Sequence, residues 1–170
     1  MDLTKYIRDI PDFPKPGILF KDITPLLASP EAFHEAIRRM VEHYQAKPVD
    51  AISAAEARGF LFAAPLALLL NKPLVPLRKP GKLPYQTHRQ QYDLEYGSAE
   101  LHVHVDGFVK GANVLLVDDL LATGGTLAAA CQLIEQAQAK VVSCAVLVEL
   151  TFLKGREKLA AHEVFALIKY

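Results

Sequence analysis

VLLVDDLLATGGT, residues 114–126, is the stretch that decides the fold. An apolar run ends in two adjacent carboxylates, Asp118 and Asp119, passes through a Gly-rich turn and enters the helical pattern of residues 126–138. A buried apolar strand followed by a helix is the repeating unit of a parallel sheet. Glycines in such a turn let backbone N–H groups converge, and the helix N-terminus adds partial positive charge, so the turn predicts a phosphate site.

Further strand-like and helical runs alternate along the chain. AKPVDAISAA (46–55) leads into a helical pattern at 58–71, KPLVPLRK (72–79) leads into a polar stretch, and KVVSCAVLVEL (140–150) follows the helix of the phosphate turn. These runs predict one α/β domain over residues 1–170, with a central, mainly parallel, twisted sheet flanked by helices. Ser29 is a suitable N-cap for an earlier helix, and Pro65 is expected to kink or shorten the helix at 58–71.

Two segments do not fit this alternation. Residues 11–27 are rich in proline and are expected to form an ordered loop. Residues 78–105 hold a basic Gly/Pro loop and then QYDLEYG and SAELHVHV, which predict two antiparallel strands with Glu100, His102 and His104 on a wet face. A long, charged loop on a compact core is usually functional. The two histidines and the glutamate could also bind zinc, although no second shell is evident.

Composition restricts the possible partners. Of the 170 residues, 51% are hydrophobic and 22% charged, and Lys plus Arg equal Asp plus Glu at 19 each, so we expect no nucleic acid or membrane partner. The first residues lack the apolar core of a signal peptide, and the apolar run 60–70 is too short to cross a bilayer. Cys131 and Cys144 are expected to be reduced core residues, which favours the cytoplasm.

Asp118 and Asp119 lie where an α/β sheet binds its ligands, at the carboxyl end of a strand. Carboxylates beside a phosphate site are well placed to accept hydrogen bonds from ribose hydroxyls. They could instead cap the turn or chelate a metal. The motif lacks the Gly-Lys-Thr of a Walker loop and is not a GxGxxG fingerprint, so neither of those nucleotide folds is indicated.

In this motif and five others, in the same order, the chain resembles the type I phosphoribosyltransferases, and in particular the branch that acts on adenine. The other segments are FPKPGILFKDITPLL (13–27), EARGFLF (56–62), RKPGKLP (78–84), YDLEYG (92–97) and VELTFLKGREKL (148–159). The resemblance implies an N-terminal hood over about residues 1–30 and a mobile catalytic loop and hairpin over 78–105. It also implies transfer of the 5-phosphoribosyl group from 5-phosphoribosyl-1-pyrophosphate to N9 of adenine, giving AMP and pyrophosphate. Mg²⁺ would bind mainly through that substrate, and the protein would be a homodimer.

The resemblance also implies roles for individual residues. The phosphoribosyl group would contact Asp118, Asp119, Ala122, Thr123, Gly124, Gly125 and Thr126. Pyrophosphate would contact Glu56, Ala57, Arg58, Lys79 and Lys82, with Arg78 in support and a cis peptide between Glu56 and Ala57. Adenine would contact Leu19, Phe20, Lys21 and Leu121, and Glu95 would be the catalytic glutamate. No protein ligand for a metal is implied.

Two other functions compete with this one. A related transferase could act on xanthine, hypoxanthine or orotate, but residues 18–21 resemble the adenine type. A regulator could keep the motif of 114–126 as a ligand sensor, and it would be expected to carry a DNA-binding extension or a basic patch. The zero net charge and the intact loop region of 78–97 argue against a regulator. Nucleotide formation from each purine base would separate these functions.

Overall fold

A computed structural model describes residues 1–93 and 97–170. The strands are β1 Arg8–Pro11, β2 Leu19–Asp22, β3 Ala51–Ala55, β4 Leu74–Leu77, β5 Thr87–Asp93, β6 Ser98–His104, β7 Asn113–Leu121, β8 Lys140–Glu149 and β9 Glu163–Lys169. In the described part of the chain, five of these strands form one sheet in the order β4-β3-β7-β8-β9, and all neighbours are parallel. The predicted α/β fold with a central parallel sheet is therefore confirmed.

The sheet is buried on both faces because its central strands are apolar at nearly every position. Along β7, Leu115 and Val117 belong to one apolar cluster, whereas Val114 and Leu116 belong to the cluster on the opposite face. This alternation follows from the pleat, which points successive side chains to opposite sides. A continuous apolar run in the sequence thus becomes a strand with two cores, as parallel sheets require.

Helices cover both faces of the sheet. They are α1 Thr24–Ala28, α2 Pro30–Tyr44, α3 Gly59–Leu69 and α4 Gly125–Gln136, with short 3-10 helices at Leu3–Tyr6, Thr151–Leu153 and Gly155–Leu159. Ser29 caps α2 as predicted, because its hydroxyl accepts a hydrogen bond from the backbone N–H of Ala32. Pro65 lies inside α3, which continues to Leu69, so the expected shortening does not occur.

Two predicted segments differ from the structure. Residues 11–27 are only partly a loop, because Leu19–Asp22 pair antiparallel with Arg8–Pro11 as a two-stranded ribbon. The hairpin of β5 and β6 starts at Thr87, before the predicted QYDLEYG, and pairs Thr87 with His104. The face with Glu100, His102 and His104 is half-buried and not wet, since His102 hydrogen-bonds both Thr87 and Glu100.

The two cysteines lie in the core as predicted. Cys131 and Cys144 are buried free thiols that form no disulfide, and their sulfur atoms are 3.8 Å apart. Across residues 1–93 and 97–170, no helix combines the length and the apolar character that a bilayer crossing requires.

A buried hydrogen bond ties α2 to the sheet. The Tyr44 hydroxyl lies 2.8 Å from Ser143 Oγ, which donates to the Glu163 carbonyl at 3.3 Å. We expect Tyr44→Phe to lower the free energy of unfolding by about 1 kcal/mol and Tm by about 2–4 °C, because one buried hydrogen bond is lost without a cavity. Thermal unfolding checks this, with Tyr85→Phe as control, since the Tyr85 side chain is exposed. Equal Tm values for the two variants would contradict the prediction.

Candidate functional site

The carboxyl ends of the central strands meet at one edge of the sheet, where a cleft of about 650 Å³ opens. A cleft of this size is within the range of small-molecule sites. Most of the predicted site residues lie together in its wall: Leu19, Phe20, Lys21, Arg58, Asp118, Asp119, Leu121, Ala122, Thr123, Gly124, Gly125 and Thr126. Segments separated by about a hundred residues in the sequence thus form one site.

The phosphate turn has the predicted form. Gly124 precedes α4 with φ of 81°, in the left-handed region that a side chain disfavours. The helix then begins at Gly125, and its first N–H groups have no acceptor within the helix. These N–H groups and the helix dipole form a cradle that suits a phosphate dianion.

The two carboxylates have different environments. Asp119 Oδ2 forms an ion pair with Arg58, at 3.0 Å from its Nε atom, and only 6% of the Asp119 side chain is exposed. Asp118 Oδ1 accepts instead from the backbone N–H of Asp119 at 2.9 Å. Burial, followed by the neighbouring charge of Asp119, raises the pKa of Asp118 well above its ordinary value.

Close packing holds Asp118 beside the start of α3. A Cβ atom at Gly59 would lie 2.9 Å from the Val117 carbonyl oxygen and 3.1 Å from Asp118 Oδ1. Glycine therefore lets the first turn of α3 approach the end of β7. The turn that carries Arg58 is thereby held beside the two carboxylates.

The hood carries an aromatic surface into the cleft. Phe20 makes an edge contact with Phe13 at 5.1 Å between ring centroids, and the Arg58 guanidinium lies 5.6 Å from the Phe20 ring. The side chain of Lys21 has other partners, since its ammonium group binds Asp9 at 2.7 Å and lies 3.7 Å from the Tyr170 ring centroid. The Lys21 side chain is thus occupied by other partners, and its backbone remains available to contact a ligand.

The predicted pyrophosphate turn is only partly in the cleft. The Glu56–Ala57 peptide is cis, as predicted. The Glu56 carboxylate accepts from Arg78 Nε at 2.8 Å and from the Lys79 N–H at 3.0 Å, and these bonds lower its pKa. Glu56 thus ties this turn to the basic loop. Glu56, Ala57, Lys79 and Lys82 do not line the described cleft, and the predicted catalytic Glu95 lies outside the described residues.

The predicted site residues leave out several residues of the cleft wall, among them Asp93, Leu150, Phe152 and Leu153. The last three follow β8, whose carboxyl end lies at the ligand edge, and this position was the signal that could have identified them. The zinc alternative gains no support, since the described residues contain no group of three or more potential metal ligands.

Comparisons with known proteins agree with this arrangement. The family described as "Phosphoribosyl transferase domain" matches residues 22–166. The adenine phosphoribosyltransferase of Chloroflexus aurantiacus is 56% identical over 169 residues, covering 99% of this chain and 98% of that protein. The crystal structure of adenine phosphoribosyltransferase from Thermoanaerobacter pseudethanolicus superposes with a TM-score of 0.95 at 49% identity and covers 99% of this chain and 98% of its own.

A third protein was crystallised with ligands. The Saccharomyces cerevisiae adenine phosphoribosyltransferase, in complex with adenine and D-2,5-dideoxy-2,5-imino-altritol 1,6-bisphosphate, is 40% identical with a TM-score of 0.91. The likeness covers 97% of this chain and 96% of the yeast chain. These structures confirm the predicted type I phosphoribosyltransferase fold.

The raised pKa of Asp118 gives a prediction about stability. Because the folded protein holds this proton more tightly than the unfolded chain does, the free energy of unfolding falls as the pH rises above the ordinary pKa of aspartate. Asp118→Asn removes the buried charge and keeps an oxygen that can accept from the Asp119 N–H. We expect Tm at pH 7 to rise by about 2–4 °C, and the gain to shrink as the pH falls towards about 4, where the unfolded chain also takes up the proton.

Thermal unfolding between pH 3.5 and pH 8 checks this prediction. Asp119→Asn is the matched control, since it loses the ion pair with Arg58 and should give no gain. An Asp118→Asn variant that is no more stable than the parent at pH 7, or a gain that is independent of pH, would show that Asp118 is not destabilised in its charged form.

Proposed function

The chain belongs to the phosphoribosyltransferase family, and we propose that it is the enzyme of purine salvage that acts on adenine. It transfers the 5-phosphoribosyl group of 5-phosphoribosyl-1-pyrophosphate to N9 of adenine and releases AMP and pyrophosphate. The relatives named for this activity include proteins more than 50% identical over nearly the whole chain. The activity predicted from the sequence is thereby confirmed.

One observation carries the proposal: a phosphate cradle, a pair of carboxylates and an aromatic surface line a single cleft. The cradle at Gly124 and Gly125 suits the 5-phosphate, and Asp118 and Asp119 suit the two ribose hydroxyls next to it. Phe20 also lines the cleft, and a flat base can stack on its ring. These three kinds of group match the three parts of a nucleoside monophosphate.

The chemistry is a displacement at C1 of the ribose. The bond from C1 to the pyrophosphate oxygen breaks, the bond from N9 of adenine forms, and the base loses its N9 proton. Positive charge develops on the sugar, as in glycoside cleavage. The charged form of Asp118 or Asp119 near the ribose would stabilise that charge, and Arg58 would pair with the departing pyrophosphate once it leaves Asp119.

Magnesium suits this site as a partner of the substrate. Mg²⁺ prefers phosphate oxygens and water, and one of the two cleft carboxylates is already paired with Arg58. The cleft therefore fits an ion that enters on the pyrophosphate. Bound there, Mg²⁺ would neutralise charge on the leaving group.

The basic loop and the glutamate remain predictions. Lys79 and Lys82 are exposed, and Glu56 holds the start of their loop beside the turn of Arg58. Closure of this loop over pyrophosphate would bring both cations to the leaving group and exclude water. Glu95, which lies outside the described residues, would hold the N9 proton or stabilise the sugar cation.

The buried thiols support a place for the enzyme in a reducing compartment. Cys131 and Cys144 are close enough to interact and are unbonded. This state is usual in the cytoplasm, which we propose as the location.

We also propose a homodimer that forms through α3. Every residue of α3 is apolar or glycine, so the helix is hydrophobic on all sides. A helix of that kind is normally buried all round, yet the Leu61, Leu68 and Leu69 side chains are exposed. A second copy of this chain would cover the exposed face, because an isologous contact matches an apolar stripe with itself.

The dimer proposal predicts that a charge on this face separates the subunits. Leu68→Glu should give a monomer at micromolar concentration, because the interface would bury an unpaired carboxylate. Val109→Glu is the matched control, since both side chains are 80% exposed but Val109 lies in the loop before β7. Sedimentation velocity measures the oligomeric state of the parent protein and of both variants. A monomeric parent protein, or a Leu68→Glu variant that stays dimeric, would refute this interface.

Base choice tests the proposed substrate. In an antiparallel ribbon, residues two apart present their backbone groups to the same edge, so Leu19 and Lys21 can read adjacent atoms of a base. If a carbonyl faces the 6-amino group and an N–H faces N1, hypoxanthine places a like group opposite each. Each mismatch costs about 1–3 kcal/mol, so kcat/KM for adenine should exceed that for hypoxanthine by roughly 10²–10⁴.

The measurement is kcat/KM for adenine, hypoxanthine and guanine with saturating 5-phosphoribosyl-1-pyrophosphate and Mg²⁺. Lys21→Arg is the matched variant, and it should keep the preference because the Lys21 side chain contacts Asp9 and Tyr170 and not the base-reading edge. Comparable values for adenine and hypoxanthine would end the assignment of adenine. Absence of any nucleotide product would end the assignment of the reaction.

A further inference from the structure

The segment of residues 149–159 lies behind the phosphate turn, and the chemistry proposed above does not use its central part. It leaves the carboxyl end of β8 and forms two short 3-10 helices, Thr151–Leu153 and Gly155–Leu159. At its start the Leu150 N–H donates to the Leu121 carbonyl oxygen at 2.9 Å. The segment therefore runs beside the strand end that leads into the phosphate cradle.

Gly155 makes backbone contact with both sides of that cradle. A Cβ atom at Gly155 would lie 2.3 Å from the Ala122 carbonyl oxygen and 3.1 Å from the Gly124 nitrogen. A Cβ atom at Gly124 would in turn lie 2.4 Å from the Gly155 carbonyl oxygen. Neither position has room for a side chain.

The backbone conformation does not explain the glycine at 155. The left-handed residue of this turn is Lys154, with φ of 54°, whereas Gly155 is not among the residues with positive φ in the described chain. An L-residue could adopt the conformation of Gly155. The close approach to Ala122 and Gly124 is therefore what requires glycine here.

Three anchors hold the segment in place. Arg156 binds both oxygens of the Glu149 carboxylate, at 2.6 and 2.7 Å, and also donates to the Val164 carbonyl at 2.9 Å. Thr151 donates twice to the Tyr170 carbonyl, from its N–H at 2.9 Å and its hydroxyl at 2.6 Å. Leu159 is buried in the apolar cluster that contains Leu127 of α4.

We propose that Gly155 is a positioning residue for the phosphate end of the substrate, held in place by Arg156. It supports the backbone of Ala122 and Gly124 from behind and so fixes where the N–H groups of the cradle point. This inference rests on the proposed function, since it assigns the cradle to the 5-phosphate of 5-phosphoribosyl-1-pyrophosphate and of AMP.

A methyl group at Gly155 would move the cradle. The distance of 2.3 Å to the Ala122 oxygen is about 1 Å shorter than an ordinary contact, and the obstacle is backbone, which cannot rotate away. The segment of residues 149–159 is anchored, whereas the phosphate turn contains two glycines. The added methyl group is therefore expected to displace the phosphate turn. A displacement of about 1 Å at groups that orient a substrate is enough to cost roughly 10²-fold.

The test compares the two substrates in Gly155→Ala. We expect KM for 5-phosphoribosyl-1-pyrophosphate and Kd for AMP to rise roughly 10–100-fold. KM for adenine should rise less, because on the base side the added Cβ meets only the end of the flexible Leu121 side chain, at 2.7 Å, and leaves Leu19 and Phe20 untouched. Steady-state kinetics and calorimetry with AMP provide these values. Gly107→Ala is the matched control: its Cβ would be crowded at 3.0 Å by Val75 Cγ1 and at 3.1 Å by the His104 carbonyl oxygen, away from the cleft wall. It should lose stability and keep both constants.

A second variant covers the case in which Gly155→Ala does not fold. Arg156→Lys keeps the charge but cannot bind both oxygens of Glu149 and the Val164 carbonyl together. It should raise KM for 5-phosphoribosyl-1-pyrophosphate about 3–10-fold with KM for adenine unchanged. The inference is wrong if KM for 5-phosphoribosyl-1-pyrophosphate and Kd for AMP are unchanged in a folded Gly155→Ala variant, or if this KM is unchanged in Arg156→Lys. It is also wrong if KM rises equally for both substrates. If the parent protein binds no AMP, the proposed function itself fails and the inference falls with it.

Discussion

The backbone contact between the phosphate turn and the turn that follows β8 is the constraint on which the cleft depends. Gly124 and Gly155 meet without room for a side chain on either. Two neighbouring strands, β7 and β8, supply these turns from their carboxyl ends, so the parallel sheet brings them together without any further device. The cradle is thus rigid because it is packed against another piece of backbone, and backbone offers few alternative positions.

The charges at this edge follow from the same placement. Two carboxylates at the end of β7 lie beside one guanidinium, which pairs with Asp119, and α3 approaches Asp118 closely at Gly59. Folding this edge of the sheet is therefore less favourable than an apolar edge would be, and the apolar clusters on both faces of the sheet compensate for it. Sites that bind polar ligands commonly trade stability for function in this way.

The sequence predicted the parallel sheet and the phosphate turn because each depends on residues close together in the chain, whereas the cis peptide was expected only from the resemblance to the family. The apolar run of β7 and the glycines after it carry their own structure. The sequence did not predict the pairing of β1 with β2, which joins residues about ten positions apart across a proline-rich turn. The wall residues Phe152 and Leu153 were missed because an apolar side chain in a short 3-10 helix after a strand carries no sign of chemistry. Contacts such as that of Glu56 with Arg78 join segments that are distant in the sequence, so no local sequence pattern predicts them.

In the ion pair of Arg58 with Asp119 each group is the counter-charge of the other, so a ligand that binds both groups has to replace both partners at once. A free anion could draw Arg58 away, but it would leave the nearly buried Asp119 carboxylate with no partner, which is costly. A neutral sugar could satisfy Asp119 but would leave the guanidinium without a counter-charge. Only a molecule that brings an anionic group and hydroxyl donors together replaces both halves of the pair at once. A free inorganic anion therefore competes poorly for Arg58 itself, and no steric barrier is needed to disfavour it there.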